Sequence, residues 1–337
     1  ILALAITYFI FSFAYSIYLG DAAIFHEFMS YGPYLCLFTG SALISFIIFI
    51  YLGKMAAKKM FDPIQRMTNT VKTISGDKLS ERLSTSGAKD ELKDLAHTFN
   101  MMLDRLQVFI ERQNQFVSDA SHELRTPIAV IQGYIDLLDR WGKDDPKVLE
   151  ESIRSIKQET ESMKILVEQL LFLARSDKNT LKINKQTINL SDICHRIIKE
   201  TSFIDDEHEL IPKITDDIKI FADPELIKQL IRIFIDNAIK YTPESGSVTL
   251  SCVQSGKNVI VSIKDTGIGI EKKHLPHIFE RFYRTEESRQ KQSGGTGLGL
   301  SIAKIIISLH DAEIYVDSSP KKGSEFIIFF SNVNSSS

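Results

Sequence analysis

Phe116-Val-Ser-Asp-Ala-Ser-His-Glu-Leu-Arg-Thr-Pro127 is the stretch from which the rest of the chain can be read. A histidine stands beside an acid in a helix-forming segment, and a proline follows five residues later. Apolar residues at Phe116, Ala120, Leu124, Ile128, Ile131, Ile135 and Leu138 recur at helical spacing and share one direction. His122 falls nearly opposite that direction. Thr126 lies one turn further on the same side, and Glu123 is offset toward the flank. The pattern predicts a helix that buries its stripe and presents His122 to solvent. Pro127 has no N–H for the carbonyl of Glu123, so the helix should bend or loosen just past the histidine.

Trp141-Gly142 and Asp144-Asp145-Pro146 end this helix and start another. The second helix carries Leu149, Ile153, Ile156, Thr160, Met163, Val167, Leu170 and Ala174. A hairpin with two seams this long needs a partner hairpin. The expectation is a dimeric antiparallel four-helix bundle.

Toward the N-terminus, Ile1 to Leu19 carries no charge, and Tyr34 to Leu52 repeats the pattern. Each is about the length that crosses a bilayer core, and neither shows a polar face. The first run is longer than the apolar part of a cleaved signal peptide. Residues 1–53 therefore read as two transmembrane helices around a short extracytoplasmic loop, 20–33. That loop has Asp21 and Glu27 and no Lys or Arg, whereas Lys54, Lys58, Lys59 and Arg66 follow the second span. Positive charge marks the inner side, so residues 54–337 should be cytoplasmic. Asp21, His26 and Glu27 read either as a metal or proton site or as ordinary loop polar residues. The loop is too short for a ligand-binding domain. Sensing would act through the spans, the loop, or another membrane protein.

Net charge is -3, so nothing calls for a nucleic-acid partner. Cys36, Cys194 and Cys252 are far apart in sequence, with no metal-ligand spacing and no disulfide framework.

After Pro63, apolar residues fall at Ile64, Met67, Val71 and Ile74, a coiled-coil seam. Ser75-Gly-Asp77 interrupts it, and a polar stretch leads to Asp90-Glu-Leu92. The seam resumes at Leu92, Leu95, Phe99, Met102, Leu106 and Phe109. Neither helix is stable alone at this length. Residues 54–110 resemble a HAMP signal-relay domain, with Pro63 and Asp90-Glu91 matching its pattern. The resemblance implies a four-helix coiled coil in a parallel dimer; the alternative is a plain linker coiled coil.

His122-Glu-Leu-Arg-Thr-Pro127 resembles the H-box of the HisKA type of sensor histidine kinase. That likeness makes 111–176 a dimerisation and histidine phosphotransfer domain, followed by a linker, 177–185. It implies that His122 is phosphorylated, Glu123 assists the kinase step and Thr126 serves a phosphatase step. The chemistry agrees. A neutral imidazole is a nucleophile near pH 7 because its ordinary pKa is about 6.5. An adjacent carboxylate can orient the ring and take its proton.

Beyond the linker, β-type runs (219–221, 247–253, 259–264, 313–316, 326–330) mix with helical ones (190–201, 224–241, 298–309). Mixed order favours an α+β sandwich over a doubly wound sheet. Four clusters stand in it: Asp236-Asn-Ala-Ile-Lys-Tyr-Thr242, Asp265-Thr-Gly-Ile-Gly269, Phe279-Glu-Arg-Phe-Tyr-Arg284 after an expected short helix, and Gly294-Gly-Thr-Gly-Leu-Gly299. Their order resembles the N, G1, F and G2 boxes of the ATPase domain shared by histidine kinases, DNA gyrase and MutL. The likeness assigns 186–332 to ATP binding and leaves 333–337 as a tail. It implies that the Asp265 carboxylate meets the adenine amine and that Gly267 and Gly269 let backbone approach base and ribose. Gly295, Gly297, Leu298 and Gly299 would bring N–H groups to phosphate at a helix start. The Asn237 amide oxygen would hold Mg²⁺, Lys240 would reach phosphate, and Tyr241 would flank the nucleotide. The polar run Thr285 to Ser293 reads as a lid, with Phe279 and Phe282 either anchoring it or serving as plain core aromatics.

Three features depart from that pattern. Ile233 stands where the N-box often has a second Asn. The last glycine box is reduced to Lys322-Gly-Ser-Glu-Phe326, and 203–212 is short and acidic.

The resemblance as a whole implies a homodimeric sensor histidine kinase of the bacterial cytoplasmic membrane. It would use ATP and Mg²⁺, with a response regulator receiver domain as partner. A phosphatase-dominant sensor with weak kinase activity and a non-catalytic ATP-binding membrane adaptor are the alternatives.

Overall fold

The computed structural model describes residues 2–20, 22–73, 80–84, 90–142, 145–178, 180–285 and 295–331; for 2–6, 16, 19, 22–33, 35 and 90 it describes the backbone alone. The chain divides into two compact units, residues 1–113 and 114–337.

The first unit holds α1 (Leu2–Leu19), α2 (Ala22–Thr73) and the beginning of α3 (Asp90–Trp141). α1 packs against α2. The stretch expected as a loop is instead helical from Ala22 onward. Ala22-Ala-Ile-Phe and Glu27-Phe-Met29 carry no turn residue and suit a helix. Asp21 and the side chains of His26 and Glu27 lie outside the described residues, so the metal or proton reading rests there. Among the described residues one stretch, Cys36–Thr73, is long and apolar enough to cross a membrane. α2 continues through Pro63 to Thr73 without a break, so the first relay helix prolongs the apolar one.

Interruption of the seam at Ser75-Gly-Asp77 lies outside the described residues. Nearby, Leu83 is buried, as are Ala96 and Leu103 on α3. Arg82 donates to the Asp104 carboxylate at 3.0 and 2.6 Å and to Gln107 Oε1 at 2.9 Å. The seam residues Leu95, Met102, Leu106 and Phe109 remain exposed in the single chain.

The second unit contains the rest of α3, α4 (Pro146–Asp177) and an α/β domain. Pro127 sits inside α3 without ending it. The Asp145 carboxylate accepts from the Lys147 N–H at 2.9 Å, and Pro146 opens α4. Leu166 and Leu173 are buried, whereas Ile128, Ile135, Leu149 and Ile153 stay exposed.

In the α/β domain, five strands form one mixed sheet: β2 (Glu209–Ile214), β4 (Ser247–Ser255), β5 (Asn258–Asp265), β7 (Gly323–Ser331) and β6 (Glu313–Ser319), in that order. Only β2 and β4 run parallel; the other neighbours are antiparallel. A separate ribbon pairs β1 (Gln186–Asn189) with β3 (Lys219–Ala222). Helices α5 (Leu190–Ser202), α6 (Pro224–Tyr241) and α7 (Gly299–Leu309) complete the fold. Alternate residues Val248, Leu250 and Cys252, Val259, Val261 and Ile263, and Phe326, Ile328 and Phe330 are buried. They pack with Ile227, Phe234 and Ile302 in one core. Phe234 and Phe326 meet at 4.9 Å between ring centroids. Period-two burial on the strands and a helical stripe opposite are what a two-layer sandwich requires.

The sequence reading did not single out β1 and β2. β1 has four residues, and β2 contains Pro212, which an edge strand tolerates. In place of the expected short helix before Phe279 the chain makes successive tight turns. The N–H groups of His274, His277 and Glu280 each bond the carbonyl three residues back.

Candidate functional site

His122 stands on α3 with its side chain exposed, as the helical angles require. Thr126 is exposed one turn further, and Glu123 is partly buried. No hydrogen bond joins His122 to Glu123 among the described contacts, which leaves the imidazole accessible.

The other residues converge on the end of α6, the turn after β5 and the start of α7. Asp265, the last residue of β5, is buried. Its Oδ1 accepts from the Gly267 N–H at 2.8 Å and from the Ser324 N–H at 3.2 Å. Burial pushes this carboxyl above the usual range, and the two N–H groups partly offset that. The carboxylate is thus held rigidly by backbone. A Cβ on Gly267 would collide with the Tyr241 carbonyl, so the turn lies flat on the end of α6. The Ile268 N–H donates to that same carbonyl at 3.1 Å.

Lys240 and Tyr241 close α6, with the Lys240 ammonium 5.3 Å from the Tyr241 ring centre. Burial lowers the Lys240 pKa, and the nearby Arg284 guanidinium lowers it further. The Lys240 and Arg284 side chains bring positive charge to one partly buried place, a seat that suits an anion. Gly295 belongs to it, because a Cβ there would strike the Lys240 ammonium. Among the described residues no side chain caps α7, so its leading N–H groups suit a phosphate. The Asn237 amide is partly exposed on α6 and makes no hydrogen bond among the described residues. Its oxygen suits a hard cation.

Gly269 has φ +71 and approaches the Ser319 carbonyl. Phe282 is partly buried and packs on the core, as does Phe279. Residues 286–294 of the run read as a lid lie outside the described residues. Ile233 packs on the core beneath the first turn of α7, where its Cγ2 would meet a Gly299 Cβ at 3.3 Å.

The sequence reading gave no role to Arg284, Gly323 and Ser324. Arg284 closed a quoted cluster, and its charge was the available signal. Gly323 and Ser324 stood in the reduced glycine box Lys322–Phe326, which was quoted as a departure and given no contact with Asp265.

Comparison with known proteins finds three domain families along the chain. Residues 55–108 match the HAMP domain, 112–179 the His Kinase A (phospho-acceptor) domain, and 222–334 the histidine kinase-, DNA gyrase B-, and HSP90-like ATPase. The chain thus carries, in this order, the three domains of a HAMP-containing sensor histidine kinase. Among relatives, it is 40% identical over 285 residues to the sensor histidine kinase YkoH of Bacillus subtilis, covering 84% of this chain and 62% of that one. It is 36% identical over 289 residues to the signal transduction histidine-protein kinase ArlS of Staphylococcus aureus, covering 86% and 64%. The chain thus spans less than two thirds of these relatives' length. The histidine kinase AdeS of Acinetobacter baumannii superposes with a TM-score of 0.50 at 26% identity, covering 63% of this chain and 98% of that one. ThkA, solved in complex with the response regulator protein TrrA, shares the fold at a TM-score of 0.54 and 24% identity, covering 68% and 64%.

Proposed function

We propose that this chain is a homodimeric sensor histidine kinase embedded in a bacterial membrane by two helices, with 54–337 on the cytoplasmic side. It binds ATP with Mg²⁺, phosphorylates His122, and passes the phosphoryl group to an aspartate of a separate response regulator. The observation that carries this reading is the pairing, within one compact unit, of an exposed His122 with the backbone-held Asp265 and the Lys240–Arg284 anion seat.

The chain's residues divide the work as follows. Asp265 accepts from the exocyclic amine of adenine. Lys240, Arg284 and the N–H groups that open α7 hold the phosphates. Asn237 holds Mg²⁺, which neutralises developing phosphate charge when bound. A neutral His122 nitrogen forms the N–P bond as the bond from phosphorus to the ADP oxygen breaks. Glu123 takes the proton released from the ring. Exposed Ile128, Ile135, Leu149 and Ile153 support a second hairpin covering this face.

Incubation of the full chain in lipid vesicles with γ-labelled ATP and Mg²⁺ tests the proposal. The expected product is an acid-labile, base-stable label that a His122→Gln variant lacks. No label on the unaltered protein would sink the kinase reading.

Ile233 favours a second reading, a sensor acting mainly as a phosphatase through Thr126. Removal of phosphate from a phosphorylated regulator by unlabelled protein would establish that reading, and loss of this activity in Thr126→Ala would assign it.

A further inference from the structure

Arg281 is held from two sides, by Asp177 and by Phe116, and by none of the residues assigned to the nucleotide among the described contacts. Its guanidinium donates to both oxygens of Asp177, the last residue of α4, at 2.9 and 2.6 Å. It also stacks on Phe116 of α3, 5.3 Å from the ring centre. Phe116 in turn meets Phe282 at 5.9 Å. Phe282 takes a left-handed conformation, φ 59, which is costly for a bulky residue. There its N–H donates to the Gly297 carbonyl at 3.0 Å. A Cβ at Gly297 would press on the Phe282 backbone. One residue before, Thr296 donates to Gln169 of α4 at 2.9 Å. The phosphate loop, the turn at Phe282 and both hairpin helices are therefore tied at three points.

The level of that tie matters. Phe116 precedes His122 by six residues on one helix, about 9 Å along its axis. A tie at this height holds the loop that would carry phosphate near the level of the acceptor histidine.

We propose that Arg281 is a positioning residue for phosphoryl transfer. By gripping Asp177 and Phe116 it sets where the phosphate loop stands relative to the phosphoacceptor helix. The inference rests on the proposed kinase function. The described contacts of Arg281 are with Asp177 and Phe116 and not with His122, so it acts on the alignment of the reacting groups, and small displacements of reacting groups cost large factors in rate. A guanidinium suits this place because it can fork onto a carboxylate and face an aromatic ring at once.

The test is initial-rate autophosphorylation of the full chain in lipid vesicles as a function of ATP. Arg281→Ala and Asp177→Ala should each lower kcat about tenfold with KM for ATP unchanged. Arg281→Lys should fall between them and the unaltered chain. The pair Arg281→Asp with Asp177→Arg should recover part of the loss. Thermal unfolding of each variant checks that it folds, and an unchanged KM checks the nucleotide site. Unchanged kcat in the single variants overturns the proposal, and so does a raised kcat, which would make the tie a restraint. Loss of KM and kcat together also overturns it. Absence of label on the unaltered chain overturns the kinase reading as well, whereas label there with unaffected variants overturns the positioning role alone.

Discussion

Asn100 grips Leu83 by both ends of its backbone: the side-chain amide donates to the Leu83 carbonyl at 3.1 Å and accepts its N–H at 2.9 Å. This is a strand-like pairing made by one side chain. It seats Leu83 in the buried set with Ala96 and Leu103. Asn100→Ala should remove both bonds, at about 1 kcal/mol each. Limited proteolysis near Leu83 should accelerate at least about tenfold. Asn100→Asp should accelerate cleavage less, because a carboxylate still accepts the Leu83 N–H but cannot donate to its carbonyl.

Gly323 has φ +84, and any Cβ there would run into the Asp265 carbonyl. Its neighbour Ser324 supplies one of the two N–H groups on the Asp265 carboxylate. Gly323→Ala should displace that N–H and with it the adenine contact. Affinity for a fluorescent ATP analogue should fall at least about tenfold, with an unfolding cost of about 1–3 kcal/mol.

Lys240 and Arg284 share one partly buried seat, and the Lys240 pKa lies below its ordinary value. Lys240→Met should weaken nucleotide binding about tenfold or more, because a charge-assisted phosphate contact is worth about 1.5–3 kcal/mol. In the unaltered chain, affinity should decline with rising pH earlier than an ordinary lysine would allow. Titration calorimetry with an ATP analogue across alkaline pH measures both effects.

Two histidines should make stability depend on pH with opposite signs. His208 faces two acceptors, Asp205 at 3.0 Å and the Thr242 carbonyl at 3.1 Å, so both ring nitrogens must donate and the imidazolium is preferred. Burial lowers its pKa, but Asp205, Thr242 and Glu207 raise it more, and the net shift is upward. Its contribution is complete below about 6.5 and is lost as pH rises through the higher folded value. His310 is the reverse. Its Nε2 accepts the Asp223 N–H at 3.0 Å while Nδ1 donates to the Ile306 carbonyl at 2.8 Å. Burial holds its pKa down. Its contribution is present above about 6.5 and is lost on acidification. Thermal unfolding from pH 5 to 9 should show His208→Gln losing stability chiefly at the acid end. His310→Gln should lose it chiefly at the alkaline end.

Much of this was legible before any coordinates. The spacing around His122 placed it on the open side of a helix, because exposure follows from periodicity within one element. The boxes at Asn237, Asp265 and Gly295 to Gly299 were legible because each is a local string with its own backbone demand. Tertiary partners were not. Gly323 and Asp265 are far apart in sequence, and only the pairing of β5 with β7 brings them together. Cys194 and Cys252 read as unrelated, yet their thiols interact in the core between α5 and β4, and this pushes the Cys194 thiol far up. The helix from Ala22 was missed for a different reason: a short run with two charges resembles a loop by composition, although its residues suit a helix.

The contact between Ile233 and Gly299 binds the histories of two positions. A methyl at 299 would press on the isoleucine below it at 3.3 Å. What one site accepts depends on what the other holds, and paired changes there will not sum. An asparagine restored at 233 would present a different shape and a polar tip to the same spot. The departure from the N-box pattern is therefore half of a two-residue character. A library that randomises 233 alone, with glycine fixed above it, will sample only a slice of the sequences this floor can accept.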